Sequence, residues 1–267
     1  PRLAFLYILL GGLLISLSSC LKRPFPKENN ALLFNPVDAR WSAIDFVNTI
    51  NDTGSYTPFN TLYIYNGGGA GMGDLNNDGL NDLVLISNQG QSQLYINLGD
   101  MQFEEVSKEV GFTPQSPWAT GVAIADINGD NWLDIYVCRS GAKEDEDLTN
   151  ECYINQGNGT FSEMASQIGL DYNGGSSQAY FFDLDLDGDL DMYLVNHPQD
   201  FQKATDFFFY QYPDTSITDK DRLYIQEDGL FTDVSDSFGI SDYNGFGLSA
   251  ICHDFNGDRY PDIFVAN

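Results

Sequence analysis

Apolar residues in this chain fall into runs of four to six, and each run is closed by a cluster of Asp, Asn and Gly. GVAIAD (121–126) and LDIYV (133–137) are two of them. Short runs of this kind, bounded by turn formers, predict strands rather than helices. The runs also repeat. One unit reads LYINLGDMQFEEVSKEVGF from Leu94, CYINQGNGTFSEMASQIGL from Cys152 and LYIQEDGLFTDVSDSFGI from Leu223. The other reads GDLNNDGLNDLVL from Gly73, ADINGDNWLDIYV from Ala125, FDLDLDGDLDMYLV from Phe182 and HDFNGDRYPDIFV from His253.

The two units alternate in a fixed phase: 32 residues from Leu94 to Asp126, 31 from Cys152 to Asp183, and 31 from Leu223 to Asp254. The other connection varies, from 12 residues after Asp82 to 18 after Asp134 and 32 after Asp191. A constant phase marks a rigid module, and variable insertions at one equivalent point emerge on one face, where binding loops are common. Three or four strands per repeat predict the blades of an all-β propeller, each burying its faces against its neighbours. A β-sandwich of the same hairpins is the alternative, but it does not require a fixed phase.

The second unit carries the candidate chemistry. Aligned, its four loops place oxygen side chains at positions 1, 3, 5 and 9: Asp74, Asn76, Asp78 and Asp82; Asp126, Asn128, Asp130 and Asp134; Asp183, Asp185, Asp187 and Asp191; Asp254, Asn256, Asp258 and Asp262. Position 7 adds a backbone carbonyl from Leu80, Trp132, Asp189 or Tyr260. Calcium takes about six to eight oxygens, and alternate residues of a tight loop turn toward one centre. The first half matches an EF-hand loop, yet the last acid falls at position 9 and strands flank it. No Cys or His lies inside a loop, which disfavours softer metals. Asp, Asn and Gly are also ordinary hairpin residues, and one such loop needs no metal. Four copies in phase, the third with five Asp in residues 183–191, favour up to four Ca2+ ions, since like charges so close repel unless a cation sits among them. Arg259 makes the fourth loop the weakest, because position 6 calls for a positive φ.

These loops and their flanks resemble the FG-GAP/VCBS repeats of integrin α-subunit propellers and bacterial surface proteins. With YNGGG followed by GDLNNDG (Tyr65 to Asp82), WATGVAIADINGD (Trp118 to Asp130) and DLDMYLVNH (Asp189 to His197), the chain is also similar to the proteins that resemble cartilage acidic protein. The resemblance covers about residues 31–267 and implies a propeller of about seven blades with calcium on the loop positions named above. Against that length the chain reads as an incomplete propeller of three to four blades, with residues 31–66 contributing strands to the first.

Composition agrees: 15 Tyr, 19 Phe and 26 Gly suit many short strands and tight turns. The net charge of −27, from 39 acids against 12 bases, excludes nucleic acid as a natural partner. Residues 1–19 are an apolar leader, and Leu17-Ser18-Ser19-Cys20 resembles a bacterial lipobox, with Cys20 the lipidated residue and residues 20–30 a polar tether. An ordinary signal peptide or an N-terminal membrane helix would share the apolar run. The expectation is therefore an exported lipoprotein held to a bacterial envelope membrane through Cys20, with residues 31–267 as the propeller. Cys138 and Cys152 lie at the end and start of two consecutive predicted strands and either pair or stay as buried thiols.

No nucleophile–base motif surrounds His197 or His253, and the close acid pairs all belong to the loops, so no catalytic residue is assigned. The expected role is binding of a protein or glycan ligand on the face bearing insertions 139–151 and 196–222. Phe207, Phe208, Phe209, Tyr210 and Tyr212 in the second either stack on that ligand or cap the blade locally. The alternative is an accessory module of a larger extracellular enzyme acting on polysaccharide or phosphoester substrates.

Overall fold

A computed structural model describes residues 34–53, 56–57, 64–115, 118–141, 147–197, 219–240 and 247–266. The leader, Cys20, the tether and the aromatic cluster at 207–212 lie outside them.

Among the described residues fourteen strands form three four-stranded meanders and a hairpin, all antiparallel. The first sheet is β1 (Ala70–Gly73), β2 (Asp82–Leu85), β3 (Gln93–Asn97) and β4 (Phe103–Glu105). The second is β5 (Ala119–Ala125), β6 (Asp134–Arg139), β7 (Glu151–Asn155) and β8 (Phe161–Glu163). The third is β9 (Ser176–Phe182), β10 (Asp191–Asn196), β11 (Arg222–Glu227) and β12 (Leu230–Asp233), and the hairpin is β13 (Ser249–His253) with β14 (Asp262–Ala266). Each sheet is one blade of the propeller, and its strands follow in chain order. The innermost strands lie side by side, β1 on β5, β5 on β9 and β9 on β13.

Apolar contact between blades supplies the core. Val84, Ile86, Leu94 and Phe112 of the first blade pack on Val122, Ile135, Val137, Tyr153 and Phe161 of the second. Tyr136, Cys138, Cys152, Ile154 and Leu170 meet Met192, Leu194, Tyr224 and Phe231 of the third, and Tyr193, Val195 and Leu223 meet Ala250 of the hairpin. β6 and β10 are buried at every residue because a neighbouring blade covers each face. Their sequences accordingly read as unbroken apolar runs after the first Asp, without alternation. Cys138 and Cys152 sit in this core as free thiols, and burial raises the pKa of both.

The repeated SKEVGF and ASQIGL segments make one-turn helices, α2 (Ser107–Val110) and α3 (Ala165–Ile168), after α1 (Ala39–Ser42) near the N-terminal side. Gly111 and Gly169 close α2 and α3 at φ 81° and 83°, the left-handed conformation that glycine adopts without strain. A Cβ on Gly169 would also meet the Phe231 carbonyl oxygen of the next blade at 2.4 Å.

The first blade differs from the sequence reading. Its four strands all come from residues 70–105, and among the described residues of 34–66 there is no strand. The segment instead runs over the blade as a cover. Trp41 Nε1 donates to the Asp100 carbonyl (2.9 Å), Tyr95 Oη donates to Asp45 Oδ1 (3.2 Å), and Asn48 Nδ2 donates to Asn88 Oδ1 (2.7 Å). Tyr95, which this cover reaches through Asp45, is fully buried.

Candidate metal centre

All four acidic loops join the first and second strands of a blade, so they project from one end of the molecule. Their folds nearly superimpose in hydrogen bonding. Position 1 receives the backbone N–H of position 6: Asp74 from Gly79 (2.8 Å), Asp126 from Asn131 (2.8 Å), Asp183 from Gly188 (3.2 Å) and Asp254 from Arg259 (2.9 Å). Position 5 receives the N–H of position 7 on Asp78, Asp130, Asp187 and Asp258, at 2.8–3.1 Å. That N–H belongs to Leu80, Trp132, Asp189 and Tyr260, the residues whose carbonyls the sequence nominates.

Position 6 is left-handed in every loop, at Gly79 (φ 87°), Asn131 (68°), Gly188 (103°) and Arg259 (82°). Position 4 is left-handed as well, at Asn77 (57°), Gly129 (73°), Leu186 (66°) and Gly257 (82°). The second requirement is hidden in the sequence because Asn, Gly and Leu share no obvious property. Leu186 and Arg259 carry backbone strain there that Gly would relieve.

The ninth acid is set apart from the other three. Asp82, Asp134 and Asp191 are fully buried at the start of β2, β6 and β10. In each of the four loops one of its oxygens accepts the N–H of position 2 at 2.9 Å, from Leu75, Ile127, Leu184 and Phe255. In three blades the other oxygen accepts an N–H of the third strand: Asn97 (2.9 Å), Asn155 (2.8 Å) and Gln226 (2.9 Å). This carboxylate therefore ties loop to sheet. Each carboxylate oxygen can accept a further bond beyond these. Burial pushes Asp134 up to about 6, against the pull of those two donors.

The third loop departs from the pattern at its first residue. In the other loops position 1 also takes the N–H of position 5, as Asp126 Oδ1 does from Asp130 (2.9 Å). Asp183 Oδ1 is instead buried without a hydrogen-bond partner, and so is Asp189 Oδ1. One oxygen each from Asp183, Asp185 and Asp187 lies within 4.8 Å of the others, a group able to hold a metal ion. Three converging carboxylates, with a shielded and unsatisfied oxygen on Asp183 among them, cost free energy unless a cation balances them. The donors are all hard oxygens, which suits calcium or magnesium better than transition metals.

Adjacent blades are also linked at this end. Asn77 Nδ2 donates to the Asn131 carbonyl (3.2 Å), and Asn155 Nδ2 donates to the Leu75 carbonyl (2.8 Å).

At the opposite blade end the insertions begin. The described parts of 139–151 are largely structural: Ser140, Leu148, Asn150 and Glu151 are buried. Glu151 accepts the Gln115 N–H (3.0 Å) and faces Arg139 at 3.6 Å. His197, just past the end of β10, is buried, with Nδ1 3.3 Å from Ser177 Oγ, which also reaches the Gly247 carbonyl (3.2 Å). Ser177 thus ties the third blade to the segment leading into the β13–β14 hairpin, with His197 beside it.

Burial pushes His197 down to about 4. Its folded pKa lies below the unfolded value, so the stabilisation of the neutral ring is complete above about pH 6.5 and is lost as pH falls toward 4. At pH 5 this loss is about 2 kcal/mol. Urea midpoints of the wild type and His197→Gln at pH 7.5 and pH 5 should show it as the wild type's extra drop, and parallel drops in both would refute it.

Residues 74–137 and 141–194 match the family model described as FG-GAP-like repeat. No curated protein matches the chain.

Proposed function

From the premise that the chain is an FG-GAP-repeat protein, we propose that it is a calcium-binding, exported lipoprotein whose propeller binds a protein or glycan ligand at the envelope surface. One observation carries the calcium reading: the Asp183, Asp185 and Asp187 oxygens converge beside an Asp183 oxygen with no other partner. Filling the four loops rigidifies one end of the blades, while the insertions at the other end present the recognition surface. The apolar leader and Leu17-Ser18-Ser19-Cys20 support export and lipidation. No helix among the described residues is long and apolar enough to cross a membrane.

The chain is read as a binder without catalysis of its own, since its close acids serve the loops. Calcium titration followed by melting tests the reading. A ligand held only by the folded state adds about 2.7 kcal/mol per site at a free concentration about 100-fold above its Kd. Asp187→Ala should remove one such increment and leave the others. Superimposable melting curves in calcium and in chelator would overturn the proposal.

A further inference from the structure

The second and fourth loops share a feature that the cation reading leaves unused, an Asn-Gly pair at positions 3 and 4. We propose that Asn256 is a site of spontaneous deamidation, promoted by the loop around it. Asn256 and Gly257 are exposed, and no atom lies within 4 Å of where a Cβ on Gly257 would stand. The Gly257 N–H donates to Asp254 Oδ1 at 2.7 Å, and Asn256 Oδ1 accepts the Asp258 N–H at 2.8 Å. The nucleophile therefore touches a base, and the carbonyl it attacks is polarised by a donor placed where negative charge develops.

The step balances without an oxidant or reductant. Gly257 N gives its proton to the Asp254 carboxylate and bonds to Asn256 Cγ. The bond from Cγ to Nδ2 breaks, and the proton leaves with the nitrogen as ammonia. Water then opens the five-membered imide at either carbonyl, giving aspartate or isoaspartate. Isoaspartate adds a methylene to the main chain at position 3 and shortens the side chain there, which disrupts the alternate spacing of the loop oxygens.

The second loop provides an internal reference. Asn128 Oδ1 accepts the Asp130 N–H (3.1 Å) in the same way, and positions 5 and 6 donate to the first Asp in both loops, Asp130 and Asn131 to Asp126 (2.9 and 2.8 Å) and Asp258 and Arg259 to Asp254 (3.2 and 2.9 Å). In these donors to the first Asp the second loop differs only at position 4. Its Gly129 lacks a hydrogen bond to the Asp126 carboxylate among the described contacts.

The test is peptide mapping by mass spectrometry after incubating the chain in mildly alkaline buffer without divalent cations. In the folded chain Asn256 should convert about tenfold faster than Asn128, a modest share of what a positioned base contributes. In urea these two loop Asn-Gly pairs should react at similar rates, both slower than Asn256 in the folded chain. Asp254→Asn keeps an acceptor but cannot take the proton, so it should slow Asn256 to the Asn128 rate; a hairpin unfolded by the substitution would instead give the rate measured in urea at Asn256. Equal rates in the folded chain, or an unaltered ratio in a folded Asp254→Asn variant, overturn the proposal.

Discussion

Asp134→Ala will lower the unfolding free energy by about 4 kcal/mol in calcium-free buffer, because it strands two buried N–H groups at about 1–3 kcal/mol each and opens a small void. Those groups are Ile127 N, in the loop, and Asn155 N, in β7. Asp130→Ala, exposed on the same loop, removes contacts that water replaces and should cost less than about 1 kcal/mol under the same conditions. Chemical denaturation of the two variants with chelator present reads the difference. Equal losses would mean that the ninth acid acts only through a bound ion, and the description of it as a tie between loop and sheet would fail.

The second large effect is expected at Gly121, on the innermost strand of the second blade. A Cβ there would stand 2.3 Å from the Ser177 carbonyl oxygen and 2.5 Å from Gln178 Oε1. The first of these is backbone of β9, which is pinned to β5 by Thr120 Oγ1 donating to the Ser176 carbonyl (2.6 Å) and Gln178 Nε2 to the Val122 carbonyl (3.0 Å). Gly121→Ala must therefore move a strand, at a cost of about 3 kcal/mol. On the first blade a Cβ at Gly71 meets mainly Ile124 Cδ1 at 2.9 Å, the tip of a flexible side chain. Gly71→Ala should cost distinctly less, and thermal melting of the pair separates them. Similar melting temperatures would show that the inner strands can part without penalty.

The blades and the acidic loops were legible in the sequence because both depend on local repetition. Strand–turn–strand patterning fixes each hairpin, and the constant spacing from Leu94 to Asp126 and its counterparts reflects a path through two outer strands and back to the next inner one. The dual burial of β6 was legible too, as the unbroken run after Asp134. What escaped depends on contacts between distant segments. Asp82, Asp134 and Asp191 look like their loop neighbours until the third strand is seen to place an N–H on each. Residues 38–52 lack any repeat signature, since a cover needs only a few hydrogen bonds to a blade edge rather than a pleated register. His197 and Ser177 are 20 residues apart and meet only because β9 and β10 pair in antiparallel register. The left-handed residue at position 4 was concealed by Leu186, which adopts that conformation against its own preference.

Each apolar cluster is shared by two adjacent sheets and no more. Copying the gene segment from one inner strand to the next would thus add a whole sheet with both of its seams ready-made, while every older seam kept its residues. In such a design, the number of copies is free to drift over evolutionary time, and the spelling of each copy is not.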